Sequence, residues 1–427
     1  MNPKTFCIPY DHDCLTLSLD PARIRAVLEP APVETEAGKS EQEQVLDALA
    51  HPIASPLLSD LARSARRVLI LTSDHTRPVP SAITLPLLLA EIRRHNPDAA
   101  IKILVGTGFH RLTTPDEMEA KFGANLVRQE DFIVHDSRDK QHMVFKGTLP
   151  SGGALWLNDL VDWADLLVAE GFIEPHFFAG FSGGRKSVLP GIAAAETVLA
   201  NHCAEFIASD RARTGILDGN PLHQDMLFAA KQAKLAFILN VALDAEKKII
   251  GAFAGHPDQA HRAGCDWVGR RAEVRRQEAD IVITSNGGYP LDQNIYQAVK
   301  GMTAGEACVR PGGVIVMVAA CADGHGGEAF YHWFANAASP ADVTRKILAI
   351  DRQNTLPDQW EAQILARILE HCTVILVTDR CDPQLVRAMH LEQADTLEQA
   401  LAMARQKAGE DAGLVVIPDG VAVIVKP

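Results

Sequence analysis

The stretch RVLILTSDHTRP, residues 67–78, decides how the chain is read. Its apolar first half has the composition of a strand buried on both faces. It then stops in Asp74, His75, Thr76, Arg77 and Pro78. In open α/β sheets ligands bind beyond the carboxyl ends of the strands. A strand ending this way offers a carboxylate, an imidazole and a guanidinium at such a place. The planar fork of Arg77 suits a bound carboxylate. Pro78 leads into an expected helix at 81–95.

The same pattern recurs downstream. A strand at 100–105 ends in GTGFHR (106–111), which supplies His110, and a helix is expected at 114–122. Strands at 131–135 and 165–169 follow. The second runs into EGFIEPHFFAGFSGGRKSVLPGIAAAETVLANHC (170–203), which holds His176, Lys186 and His202. Glycines at 180, 183 and 184 allow sharp turns and close approach to a ligand. Consecutive N–H groups there can hold an anion. Lys186 is placed to act as charge partner or nucleophile, and the histidines as metal ligands or proton carriers. A nucleotide-binding P-loop is excluded: Arg185 separates Gly184 from Lys186, and Leu189-Pro190-Gly191 stops the helix that motif requires.

Beyond this stretch the alternation continues. A helix is expected at 222–233, strands at 236–240 and 248–252, and a long charged helix at 261–278. A second series opens with the strand 280–285 and the turn NGGYP (286–290). A helix at 292–300 would put Gln293, Tyr296, Gln297 and Lys300 on one face. Further strands are expected at 313–318, 373–377, 413–417 and 421–425, with helices at 359–370 and 394–407. Such alternation argues an α/β fold of two mostly parallel-sheet domains with the active site in the cleft between them. The expected division is an N-terminal domain at 1–267 carrying the cofactor-attachment and acid/base residues. A linker helix at 268–279 joins it to a C-terminal domain at 280–408 that supplies substrate contacts. A tail at 409–427 has a return to the N-terminal domain as one option.

Composition narrows the class. The 427 residues carry 41 basic and 54 acidic side chains, a formal charge of −13. That balance argues against nucleic acid or an anionic membrane as partner. No apolar run reaches transmembrane length, and MNPKTFCIPYDHD lacks the apolar core of a secretory signal. The eight cysteines show no CxxC spacing and are expected as reduced thiols in the cytoplasm. On residues alone, two other readings stand. One is a zinc hydrolase built on His110, His176 and His202, although no HxxxH or HExxH is present. The other is a non-catalytic carrier of a metal or cofactor, which would have no use for Arg77, Gln297 and Lys300.

SDHTRPVPS (73–81), GTGFHR (106–111), GFIEPHFFAGFSGGRKSVLPGI (171–192), His202 and GGYPLDQNIYQAVKGM (287–302) resemble, in order and spacing, the nickel-pincer lactate racemases, a family of 2-hydroxyacid racemases and epimerases. The resemblance spans nearly the whole chain. It implies a nickel ion held by pyridinium-3-thioamide-5-thiocarboxylic acid mononucleotide, the nickel-pincer nucleotide, attached covalently at Lys186. It implies His202 as the protein ligand to nickel, and His110 and His176 as an acid/base pair on opposite faces of the substrate. Asp74, His75, Thr76 and Arg77 would contact the cofactor, with Arg77 also on the substrate carboxylate. Gln297 and Lys300 would hold the substrate, and Tyr296 and Trp360 would line the pocket. It further implies cofactor-synthesis enzymes as maturation partners and a transient hydride transfer at C2.

Overall fold

A computed structural model of the chain describes residues 3–32 and 38–427. They form two compact units. The N-terminal unit is Pro32–Asn201 with Asp210–Arg270, and the C-terminal unit is Met1–Ala31, His202–Ser209 and Arg271–Pro427. No helix among the described residues is long and apolar enough to cross a membrane.

The N-terminal unit is built on six strands in the order Ile249–Gly255, Leu235–Leu243, Leu166–Phe172, Arg67–Ser73, Ala100–Gly106, Asp131–Val134. All neighbours run parallel except the first pair. Val68, Leu69, Ile70 and Leu71 are all fully buried, which is why this strand reads as an unbroken apolar run. The helix Ser81–Arg93 covers one face. Its buried Leu85, Leu88, Leu89 and Ile92 recur at helical spacing and join Ile70, Ile103, Val105 and Val168 in one core. Burying each such side chain contributes about 1.5–3 kcal/mol.

The C-terminal unit holds a second sheet of six strands, all parallel: Glu392–Ala394, Thr373–Val377, Val309–Val318, Ala279–Ser285, Leu414–Ile417, Ile24–Val27. The expected α/β class with mostly parallel sheets is therefore observed.

Several particulars differ from the sequence reading. Residues 24–27, placed with an N-terminal domain at 1–267, form the edge strand beside Leu414–Ile417, so the first thirty-one residues count with the C-terminal unit. The strands Lys4–Tyr10 and Asp13–Leu19 pair as a hairpin. Its alternating Phe6, Ile8, Leu17 and Leu19 enter the core under the second sheet, with Ile281, Val316 and Leu397. The tail does not leave this unit: Leu414–Ile417 lies inside the sheet. The helix expected through 278 ends at Ala272, and Glu273–Arg275 becomes a short strand parallel to Ile424–Lys426. Cys7 and Cys14, expected as reduced thiols, are joined in a disulfide. They lie diagonally across the hairpin, Cys7 opposite Thr16 and Cys14 opposite Pro9, with Cα atoms 5.5 Å apart, within bridging reach. The other six cysteines are free and buried.

Ile8 tests where the N-terminus belongs. Its side chain is fully buried, so Ile8→Ala is expected to cost about 2–5 kcal/mol. Hydrogen exchange followed by mass spectrometry should rise in the strands at 281–318 and stay unchanged at 68–105. Equal rises in both sheets would contradict the assignment.

Candidate active site

In the N-terminal unit the chain runs outward from Arg67–Ser73 to Ala100–Gly106 and Asp131–Val134. It then returns to place Leu166–Phe172 on the other side. The strand order therefore reverses between 67–73 and 166–172, where a crevice opens in folds of this kind. Asp74 to Arg77 follow the first of these strands, and His176 follows the second. His110 follows the strand on the opposite flank.

Asp74 is buried and its carboxylate faces His110, with Oδ2 2.7 Å from Nδ1. Thr76 donates to the other oxygen from both Oγ1, at 2.7 Å, and its backbone N–H. Burial alone would raise this carboxyl, but His110, Arg77 and Thr76 outweigh it and hold it well below the usual carboxylate range. An ionised carboxylate only accepts, so His110 carries a proton on Nδ1. His176 is held the other way. The N–H of Ala179 donates to its Nδ1 at 3.3 Å, so its neutral ring bears the proton on Nε2. The two imidazoles thus meet opposite kinds of partner at Nδ1, a carboxylate at His110 and a backbone N–H at His176.

His75 is turned toward a different neighbourhood, with Nδ1 3.2 Å from Thr113 Oγ1 and Nε2 3.6 Å from Glu117. Arg77 makes no side-chain hydrogen bond or ion pair within 4 Å among the described residues; Asp74 is the nearby opposite charge.

The glycine-rich stretch folds as a tight turn, Gly184–Ser187, carrying Lys186. Gly184 takes φ +54°, and a Cβ there would meet the His261 ring at 2.7 Å. Arg185, seen in the sequence only as the residue that spoils a P-loop, is the brace of the turn. Its guanidinium is almost fully buried and donates to the carbonyls of Ala179, Phe181 and Gly183 at 2.7, 2.8 and 3.2 Å. Burial pulls its pKa down to about 10, which still leaves it charged at neutral pH. Lys186 Nζ lies 5.8 Å from the centre of the Phe178 ring. Gly108 N–H donates to Gly191 O, and Gly191 N–H to Lys186 O, which ties the His110 loop to the lysine turn.

The C-terminal unit gathers the other expected residues. His202 is buried, its ring edge-on to Trp360 at 5.0 Å. Trp360 Nε1 donates to Tyr296 Oη at 3.1 Å. The segment His202–Ser209 is held to this unit by Gln363 Nε2 on Ala204 O and by an Arg352–Glu205 ion pair. Cys203, beside His202, has its thiol pushed up by burial. The helix expected from 292 starts at Ile295, so Gln293 precedes it and donates to Pro290 O. Gln297 and Lys300 lie within the helix. Gln297 Oε1 is buried without a hydrogen-bond partner, an acceptor awaiting a donor. Glu361, fully buried, has its carboxyl raised by burial and drawn back partway by Lys300.

Arg185, Glu170 and Lys121 were not singled out from the sequence. The buried Glu170 accepts from Ser81, Thr72 and Thr84, but no motif marks a carboxylate whose partners are hydroxyls on other elements. Arg185→Met would strip the turn's carbonyls of their donor and is expected to cost about 3–5 kcal/mol in urea unfolding. Asp74→Asn is expected to lower turnover by about tenfold or more by freeing the His110 ring, at nearly unchanged melting temperature. A variant with normal turnover would show that Asp74 does not set that ring.

Family models described as the lactate racemase N-terminal and C-terminal domains match residues 10–215 and 274–425. The chain is 57% identical to a lactate racemase of Thermoanaerobacterium thermosaccharolyticum over 419 residues, 98% of each chain. It is 52% identical to one of Lactiplantibacillus plantarum, covering 98% of this chain and 99% of the relative. A solved lactate racemase apoprotein from T. thermosaccharolyticum superposes with TM-score 0.97 at 57% identity, covering 99% of this chain and all of that one. A Thermotoga maritima protein shares the fold at TM-score 0.67 and 20% identity. With both halves matched and full-length relatives more than half identical, the chain belongs to the lactate racemase family and is an enzyme of the isomerase class.

Proposed function

We propose that this enzyme interconverts the enantiomers of lactate, or of a close 2-hydroxyacid, with a nickel-pincer nucleotide attached at Lys186. The observation that carries the acid/base part is that His110 and His176 meet opposite kinds of partner at Nδ1, the Asp74 carboxylate and the Ala179 N–H.

The residues present suit such a group. Among the described residues no three His, Cys, Asp or Glu side chains gather as metal ligands. A metal beside His202 would then take most of its donors from a group the chain does not encode. His202 offers an imidazole steadied by Trp360, whereas the neighbouring Cys203 thiol is kept protonated by burial. Lys186 is the amine of the braced turn. When bound, the group supplies a reversible hydride acceptor.

The chain's own residues do the rest. The C2 hydrogen of a 2-hydroxyacid is a poor acid because the adjacent carboxylate is already anionic. Loss of the hydroxyl proton is therefore the step a protein base can help. His110 accepts that proton at Nε2, and Asp74 stabilises the imidazolium that results. Arg77 grips the substrate carboxylate with paired, charge-assisted hydrogen bonds. Gln297 and Lys300 add an amide and a positive charge. His176, in its protonated form, delivers a proton from Nε2 to the alkoxide on the other side and ends as the neutral ring. The opposite enantiomer reverses these roles, so each histidine is needed in both directions.

Intact mass and nickel content of protein co-produced with cofactor-synthesis enzymes, with racemisation assayed from each lactate enantiomer, test the proposal. Lys186→Ala should lose the covalent mass. His202→Ala should lose nickel while keeping that mass. His110→Ala and His176→Ala should each lose on the order of 10²–10⁴-fold in both directions. A nickel-free, adduct-free enzyme that racemises lactate would sink the cofactor assignment. A histidine variant impaired in one direction only is impossible at equilibrium, and one impaired in neither would remove that residue from the mechanism.

A further inference from the structure

We infer that Lys121 is a positioning residue that aims Arg77 at the substrate carboxylate. The inference rests on the carboxylate role proposed for Arg77.

The loop after the first strand reads Asp74-His-Thr-Arg-Pro-Val-Pro80. Prolines at 78 and 80 remove two backbone donors, and each holds the residue before it in extended backbone. Val79 O accepts from the Ser81 N–H at 2.8 Å, inside the loop, whereas Arg77 O takes its donor from the helix Pro115–Phe122. Lys121, in its last turn and partly buried, donates from Nζ to Arg77 O at 2.7 Å and reaches Val79 O at 3.4 Å. Glu117, one turn earlier on the same face, stands against His75 at 3.6 Å. One helical face thus clamps this loop at two points, and Lys121 fixes the peptide that carries the Arg77 side chain.

The electrostatics favour an ammonium here. Glu170 and Asp74 both attract it, while burial and Arg77 oppose it. Burial draws its pKa down to about 8, so it remains largely charged at neutral pH. Glu170 cannot serve in its place, because a carboxylate only accepts: it takes hydrogen bonds from Thr72 on the strand and from Ser81 and Thr84, and so anchors the start of the following helix. The loop is therefore fixed at Ser81, at Asp74 and, through Lys121, at Arg77 itself. Without Lys121 the Arg77 peptide keeps its charge but loses its aim. Misplacement of a binding group by about 1 Å is enough to cost a large factor in catalysis.

The test is a mutant cycle on the nickel-loaded enzyme, using Lys121→Met, Arg77→Lys and the double variant, with Lys121→Arg as the conservative control. KM and kcat for each lactate enantiomer, melting temperature and nickel content are read on each preparation. Lys121→Met should raise KM on the order of tenfold at unchanged nickel content, and Lys121→Arg should recover most of that loss. The double variant should show the KM of Arg77→Lys alone, because a misaimed group has no further value to lose. A normal KM in folded Lys121→Met overturns the proposal. So does a Lys121→Met effect that multiplies undiminished on Arg77→Lys, since a merely structural lysine behaves that way. If Lys121→Met does not fold, Lys121→Leu, which likewise has no donor, enters the same cycle under the same criteria. A normal KM in Arg77→Lys removes the carboxylate role itself and this inference with it. A raised KM there, beside a normal one in Lys121→Met, removes this inference alone.

Discussion

The buried guanidinium of Arg185 is the constraint from which the lysine turn takes its shape. A charged group almost entirely out of water is costly unless its donors are used. Here they go to main-chain carbonyls of the residues just before it, at 179, 181 and 183. Gly183 O also accepts from the Lys186 N–H at 3.2 Å, so the guanidinium adds a second donor there and supplies others where the chain changes direction. The charge and the irregular backbone therefore satisfy each other. Lys186, the next residue, is carried on a turn fixed from within, and the Gly108–Gly191 contact joins that turn to the loop bearing His110. Holding reactive groups on supported backbone is what keeps a site at productive geometry.

The same logic governs the imidazoles. Each is oriented by what its Nδ1 meets, an ionised carboxylate at His110 and a backbone N–H at His176. An isomerase returns a proton to the substrate for every one it removes, so under the role proposed for them the two rings together need hold only one transferable proton.

Much of this was legible in the sequence because parallel sheets write themselves plainly. Apolar runs such as 67–73 and 280–285 are buried on both faces, and the polar residues that follow them are left at the strand ends. The order of strands was not legible, since pairing between residues far apart in sequence leaves no local mark. Residues 24–27 carry no motif of their own, yet they complete the sheet begun at 279. His202 lies in a short segment whose sequence continues the N-terminal unit and whose side chains pack on the helix Gln359–His371. The hairpin disulfide was missed because seven residues of spacing bring two cysteines together only once the hairpin register is known. Arg185 and Lys121 escaped because their partners are carbonyls, which every residue has.

That last point explains why the residues that aim the site are harder to read than those that would touch the substrate. A group that meets a ligand must have a particular chemistry, so histidine, arginine and lysine at strand ends draw notice. A group that meets a carbonyl needs only a donor and a place. At Lys121 the place is set by the Arg77 carbonyl, 44 residues earlier in the chain. Backbone groups that lack a local donor must find one elsewhere. Tracing each such need to its supplier connects Arg77 to Lys121 and the lysine turn to Arg185, and by it two cations that contact no substrate become part of the site.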